Sequence, residues 1–470
     1  MNRFKLVGKI KPKCSLEIQN SPFSIGLEKL DRKVFAPNRT YDKLALLGAK
    51  RVRLQSGWMR TETKKGVYDF SWLDQIVDNL ISRGLKPWVT MCYGNPLYTD
   101  MAKQVFGAVG CPPVKTDQEK LAWKNYCTAF ANHFKDRISE FEVWNEPDGA
   151  HCWKHGISGT EYGNFAIETS KTIKSVIPNA KIFGCSFAGR EHLGWLIDAF
   201  ETGMAKHIDA VTFHDYCEKE TRTTETANAI RAVANEYNPN IKLIQGETGC
   251  PSRSDGFGAL MYGNWTEKKQ AKLLLRRVLT ELKNGVEFVS WFTAVDMIEA
   301  LNGKVGDKGS YLDYGHFGVL RAQFDDDGFS IGEYDFKPSF YAYQNICSTL
   351  SDATVKNLPA VFHWEEFSMF PNQMTEEYDA LLTVGFSRPN KSKALAYWKP
   401  TNVLTTEFES IVSIILPPTY TNLKIVDLLT GEIFAISEKF IEKCEDGSLK
   451  INSLPVKDYP LLLTIDDFVE

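Results

Sequence analysis

From Phe23 to about Leu350, short apolar runs rich in β-branched and aromatic residues alternate with longer stretches whose apolar positions recur at helical spacing. That rhythm is the mark of repeated βα units. Eight strand candidates can be counted: Phe23 to Leu27, Arg51 to Gln55, Pro87 to Met91, Glu140 to Trp144, Lys181 to Cys185, Ala210 to Phe213, Lys242 to Gly246 and Phe288 to Phe292. A helical stretch follows each one. Ser71 to Arg83 opens on a good capping residue and stops at Gly84, and Thr266 to Lys283 carries leucines at helical spacing and stops near Gly285. Eight units in one run predict an α/β chain folded as a (β/α)8 TIM barrel, since a doubly wound sheet rarely needs so many.

Beyond Leu350 the period changes to short alternating runs, Leu381 to Phe386, Ala394 to Trp398, Ser410 to Leu416, Leu423 to Asp427 and Leu461 to Ile465. Turn signals at Pro417-Pro418, Thr430-Gly431 and Asp446-Gly447 separate them, which predicts a C-terminal antiparallel β-sandwich. Phe4 to Ile10 and Ser15 to Gln19 also have strand character and are expected to join it. The expected division is N-terminal strands over 1–20, a barrel over 21–350 and a sandwich over 351–470.

In such a barrel the chemistry sits where the strands end. Alternation turns Arg51, Arg53 and Gln55 inward and leaves Val52 and Leu54 to the helix layer. By the same rule Thr212, His214 and Tyr216 face inward, as do Glu142, Trp144 and Glu146, while Val211, Phe213, Phe141 and Val143 pack outward. Charged groups inside a barrel need partners, and Arg53 is placed to serve Glu146 or Glu247. A glutamate at a strand end is ordinarily solvated or salt-bridged. Two of them, closing the fourth and seventh strands, fit the acid and the nucleophile of glycoside hydrolysis, for which a carboxylate separation of roughly 5 to 5.5 Å gives retention of configuration.

The run Phe141-Glu142-Val143-Trp144-Asn145-Glu146-Pro147, with Glu247 on the seventh strand and His214-Asp215-Tyr216 on the sixth, resembles the retaining glycoside hydrolases of clan A, most of all family 39. That family contains β-xylosidases, α-iduronidase and bacterial exopolysaccharide glycosidases. The resemblance implies Glu146 as acid/base, Glu247 as nucleophile and Asn145 as the contact to the sugar 2-hydroxyl. It also implies that Tyr216 hydrogen-bonds the nucleophile, that Arg53 keeps it ionised and that His214 lines the same subsite. Two departures stand out: Arg53-Leu54-Gln55 where the family often reads Arg-x-His, and Asp296-Met297-Ile298-Glu299-Ala300 where it often reads Asp-x-Phe-Glu-Glu. The mechanism carries over and the sugar does not.

Further sugar contacts are expected from Gln55, Glu299, Glu28, Tyr93 and Asn95, from Trp291 and Phe292 as an aromatic floor closing the eighth strand, and from Trp58 and Trp153 in loops at the mouth. The predicted activity is a retaining O-glycosidase acting on an oligo- or polysaccharide. A carbohydrate-binding protein on a barrel scaffold, and a transglycosylase using the same intermediate, are the alternatives.

The 470 residues carry a formal charge of -4 without a basic cluster, which argues against nucleic acid or an anionic membrane as partner. A carbohydrate is the expected partner, and the oligomeric state stays open. Ten cysteines lie singly with no CxxC spacing, so no zinc site is expected, and their place in apolar runs suits a reducing compartment. His214 has no second ligand at metal spacing. Asp325-Asp326-Asp327-Gly328 has consecutive acids where a calcium loop alternates them, and reads as an exposed turn. No metal and no cofactor are called for. With no apolar leader after Met1 and no apolar run of membrane length, the expected location is the cytoplasm, or outside the cell had a signal peptide been removed.

Overall fold

The computed structural model describes residues 1, 3–366 and 380–469. After an N-terminal strand β1 (Lys5–Lys9), eight parallel strands close into a barrel: β2 (Phe23–Gly26), β3 (Arg51–Gln55), β4 (Lys86–Met91), β5 (Glu140–Val143), β6 (Lys181–Phe187), β7 (Ala210–Phe213), β8 (Lys242–Thr248) and β9 (Val289–Trp291). Closure comes from β9 pairing with β2, with Phe23 opposite Val289. The predicted barrel is therefore present, and β5 and β8 are its fourth and seventh strands.

Alternation along these strands fills the interior in layers. Trp88, Phe183, Ala210, Ile244 and Phe288 pack together and plug the lower half. Above that plug Thr90, Glu142, Thr212 and Arg53 form a buried polar layer on which the mouth rests. Val52, Leu54, Phe141, Val143, Val211 and Phe213 pack outward into the large core shared with the helices.

Two helix boundaries illustrate local control. Thr266 caps Glu267–Lys283 by accepting from Lys269 N at 3.3 Å. Ser71 is the first residue inside Ser71–Ser82 and makes no cap, contrary to expectation; its N–H is taken by the Asp69 carboxylate at 2.9 Å.

The C-terminal strands form two antiparallel sheets, one of seven strands and one of four. Along Lys393–Trp398, Leu395 and Tyr397 face the smaller sheet while Ala394, Ala396 and Trp398 join the core of the barrel. The middle of the seven-stranded sheet is thus buried on both faces, while its edge strands are exposed. β1 extends its edge by pairing with Glu432–Ala435. Ser15 to Gln19 is not a second strand, as its sequence had suggested: residues 15–17 turn, and Ser15 Oγ donates to Ala49 O at 2.7 Å, tying the segment to the end of helix Tyr41–Leu47.

Helix Glu267–Lys283 lies where barrel and sandwich meet, and its charges are buried in pairs. Lys272 meets Asp458 at 2.7 Å, and Arg276 grips Glu220, whose carboxylate also accepts from Trp398 Nε1 at 3.0 Å. The next residue, Arg277, meets Asp215 and Glu281, both at 2.8 Å. Desolvated charges persist only with such partners.

Candidate active site

The end of β5 sets the site. Trp144 and Glu146 adopt left-handed backbone conformations, φ 68° and 45°, on either side of Asn145. Period-two alternation stops there. Trp144, expected on the barrel axis, turns outward against Trp123, Trp153 and Phe165, with its Nε1 donating to Cys152 O at 2.7 Å. Glu146 turns into the mouth. β8 shifts register against β9 between Gln245 and Thr248, the stretch that carries Glu247, and such irregularities re-aim side chains beside active sites. Together they bring a carboxylate oxygen of Glu146, one of Glu247 and a His214 ring nitrogen within 4.8 Å of one another.

Glu247 is held at both oxygens. Arg53 Nη1 donates to Oε2 at 2.6 Å and Tyr216 OH donates to Oε1 at 2.7 Å. The fully buried Arg53 also donates to Glu142 Oε2 from Nε and Nη2, at 3.0 and 2.6 Å, and to Asn145 Oδ1 at 2.9 Å. Arg53 does not bond Glu146; its second carboxylate is Glu142, one turn of the pleat below. Burial works against a charged Glu142, yet Arg53 and then His214 hold its pKa below the usual carboxylate range.

Glu146 sits between two imidazoles. His214 Nδ1 lies 2.8 Å from Oε1 and His151 Nε2 lies 2.5 Å from Oε2. A bulge in β6 turns Ser186 toward the other side of His214, with Oγ 2.9 Å from Nε2. Burial alone would raise the pKa of Glu146, but the hydrogen bonds to His151 and His214 hold it well below the usual range. Burial likewise opposes a charge on His151, and its hydrogen bonds to Cys152 and Glu146 overcome that and push it up to about 11. The proton of the Glu146–His151 pair therefore rests on the imidazole. His151 escaped the sequence reading: it follows Glu146 by five residues in an irregular loop where no periodicity points at it.

Between the two glutamates and the loops lies a cavity of about 160 Å³. Glu28, Gln55, Tyr93, Asn145, Tyr216, Phe292 and Glu299 line it, joined by Lys29, Arg32 and Phe317, which the sequence pattern does not single out. Burial, opposed by Arg53, pushes Glu28 up to about 7. Burial also raises Glu299, against the pull of Lys29 Nζ at 3.0 Å.

Arg53 and His214, fully buried behind the two glutamates, do not reach the cavity wall, and four further expected contacts are absent from it. Trp291 is buried in the barrel core, and Asn95 spends its amide nitrogen on the carbonyls of Glu62 and Trp58, at 2.9 and 3.4 Å. Trp58 stacks on Tyr98 and Tyr126, and Trp153 packs edge-on against Trp144 and Tyr162. Each is an aromatic or amide side chain that the helix layer absorbed.

Two groupings hold donor atoms close enough for a cation, Glu146 with His151 and Cys152, and Glu146 with His214 and Glu247. In both the Glu146 oxygens already bond to imidazoles, and in the second Glu247 is also bound by Arg53 and Tyr216. Hydrogen bonds and ion pairs thus satisfy these carboxylates. Among the described residues all ten cysteines are free thiols, and no helix is long and apolar enough to cross a membrane.

Residues 51–253 match the family model of the glycosyl hydrolases of family 39. A β-xylosidase of Geobacillus stearothermophilus is 27% identical over 164 residues, 33% of this chain and 32% of the enzyme, so the alignment spans about a third of that curated relative. A family 39 glycoside hydrolase from the gut symbiont Bacteroides cellulosilyticus WH2 superposes with a TM-score of 0.66 at 16% identity, covering 95% of this chain and 81% of that one. A monomeric β-xylosidase from Caulobacter crescentus CB15 gives 0.59 at 15% identity, over 97% and 98% of the two chains. A family 39 enzyme from Xanthomonas axonopodis pv. citri gives 0.61 at 15% identity over 98% of each. At such identities the superpositions speak for the fold alone, and the family match speaks for residues 51–253. The matched segment runs from the strand of Arg53 past Glu247, so the part of the chain that carries both glutamates is similar to glycoside hydrolase family 39.

Proposed function

We propose that the protein is a retaining O-glycosidase of the β-xylosidase type that removes one sugar unit at a time. The observation that carries the reading is the approach of the Glu146 and Glu247 carboxylates to within 4.8 Å across one cavity. Retaining enzymes separate their carboxyl groups by about 5–5.5 Å and inverting enzymes by about 6.5–9.5 Å, to admit a water. In the first step a Glu247 oxygen attacks the anomeric carbon while Glu146 gives its proton to the departing glycosidic oxygen. The sugar is left as an ester on Glu247 and the aglycone leaves as an alcohol. In the second, the Glu146 carboxylate takes a proton from water as the water oxygen attacks the same carbon, and Glu247 is released.

The surroundings suit these roles. Arg53 and Tyr216 hold Glu247 as an oriented anion. His151, bonded to Glu146, stores the proton that Glu146 delivers and receives it again in the second step. The cavity of about 160 Å³ is smaller than the roughly 300–1,000 Å³ of drug-sized pockets, so it suits a single sugar ring and favours exo action. The substrate is a carbohydrate and the chemistry needs no cofactor.

The test is p-nitrophenyl β-D-xyloside within a panel of aryl α- and β-glycosides. Glu247→Ala should abolish turnover and Glu146→Ala should regain it with azide, a nucleophile that attacks the glycosyl-enzyme without a general base and releases Glu247 as the glycosyl azide forms. A mechanism-based fluorosugar should label Glu247. Wild-type rates in either variant, or label elsewhere, would sink the reading.

A further inference from the structure

We propose that Arg32, on the loop after β2, is a specificity-determining donor of this cavity and recognises a ring hydroxyl of an uncharged glycoside. The inference rests on the glycosidase reading above and goes beyond the residues that reading uses. Arg32 lines the cavity, yet only 1% of its side chain is exposed. Two of its three nitrogens are engaged: Nε points to Asp31 Oδ1 at 3.4 Å and Nη2 donates to Gln55 Oε1 at 2.5 Å. Nη1 is buried without a partner among the described residues. An unpaired buried donor is costly to a folded protein, and a bound ligand oxygen removes that cost.

The pose is built into the fold. A Cβ on Gly107 would stand 2.5 Å from Arg32 Cδ, so the loop after β4 leaves space for this side chain where any other residue would push it aside. The guanidinium lies over the Tyr93 ring at 5.5 Å. Gln55 stands where family 39 often has histidine, but its side-chain oxygen is taken up by Arg32 and by Lys29 N at 3.1 Å. Through that oxygen Gln55 positions Arg32.

Charge selects an uncharged sugar. The cavity wall carries Glu28, Glu146, Glu247 and Glu299 against Lys29 and Arg32, and each of those cations already faces a carboxylate, Glu299 for Lys29 and Asp31 for Arg32. Arg53 on Glu247 and the protonated His151 on Glu146 complete the pairing, so among the described residues a sugar carboxylate would meet no unmatched cation, whereas a hydroxyl oxygen accepts from Nη1 without needing one.

The experiment compares wild type, Arg32→Met and Arg32→Lys on p-nitrophenyl β-D-xyloside, its 2-, 3- and 4-deoxy analogues and the β-D-glucuronide. Arg32→Met should lower kcat/KM on the parent by about 10- to 100-fold, the range for a lost charge-assisted hydrogen bond. On one monodeoxy analogue the two proteins should be nearly equal, and Arg32→Lys should fall between them. An equal loss on every analogue, no loss on the parent, or a glucuronide preferred by wild type overturns the proposal. If wild type turns over none of them, the β-xyloside part of the proposed function fails by itself. The same comparison is then read by calorimetry with D-xylose and its deoxy forms: loss of discrimination at one hydroxyl in Arg32→Met supports the role of Arg32, and uniform loss, unchanged binding or no binding to wild type overturns it.

Discussion

Replacing Arg53 with methionine keeps much of its volume and removes one buried cation from among three carboxylates. Wild-type Arg53 meets Glu142 at 2.6 Å, Glu247 at 2.6 Å and Glu28 at 3.5 Å. Glu247 lines the cavity and keeps its tyrosine partner, but the fully buried Glu142 is left with the hydroxyl of Thr90 at 2.5 Å. Removing one partner of a buried ion pair costs about 3–5 kcal/mol. At roughly 2 °C per kcal/mol for a large domain, the melting temperature should fall by about 6–10 °C at pH 7. The dependence on pH has a definite sign. In wild type the pKa of Glu142 is depressed, so its contribution is present above the unfolded value near ~4.3 and is lost as pH falls through the folded value. In Arg53→Met burial is opposed only by His214 and the threonine hydroxyls, so that pKa rises and the variant recovers as Glu142 takes a proton. The gap between the two proteins should narrow as pH is lowered from 7 toward 5 in thermal melts followed by circular dichroism. Adding Glu142→Gln to Arg53→Met should restore most of the stability at pH 7 but not the turnover, because Glu247 still lacks its cation. A gap independent of pH, or a double variant no more stable than the single one, would refute this account of the polar layer.

His151→Gln should move the alkaline limb of the kcat/KM profile to lower pH, since the proton that His151 retains up to about 11 would then rest on Glu146; superimposable profiles would remove His151 from the proton inventory. Tyr216→Phe deletes the 2.7 Å donor to Glu247 and should lower kcat by about 10- to 100-fold with the melting temperature within a few degrees of wild type. Lys272→Met leaves the buried Asp458 without its 2.7 Å partner and should cost about 3–5 kcal/mol in urea unfolding, while a change below about 1 kcal/mol would show that water reaches that interface.

Much of the barrel was legible because buried strands and amphipathic helices have fixed periods. The same periods placed Arg53, His214 and Tyr216 on the inside, and each now contacts Glu146 or Glu247. Legibility ended where the backbone leaves its period. Left-handed φ at Trp144 and Glu146 sent Trp144 to the helix layer, which alternation could not foresee. Arg32 was missed for a related reason: it lies in a short helical turn, 30–32, flanked by Lys29 and Lys33 in left-handed conformations, φ 64° and 56°. His151 lies in a similar irregular stretch. The aromatic residues expected at the mouth failed for a different cause, because Trp58, Trp153 and Trp291 have enough apolar surface to be drawn into the core wherever space allows. Ser15 to Gln19 has the composition of an edge strand, but its sequence neighbour is the barrel and its hydrogen bonds go there.

Helix Glu267–Lys283 also bears on how this protein can be cut and recombined. From one end it reaches into the sandwich through Asp458, and through Glu220 to Trp398. Through the adjacent Arg277 it holds Asp215, whose chain neighbours His214 and Tyr216 attend the two glutamates. The sandwich is consequently no detachable passenger. A barrel trimmed of it would keep Lys272 in the hydrophobic seam without its counter-ion, and Glu220 would lose one of its donors. For chimera building or directed evolution, the transferable module is barrel and sandwich together, and sandwich substitutions near Asp458 and Trp398 belong in the same library as those around the catalytic loop.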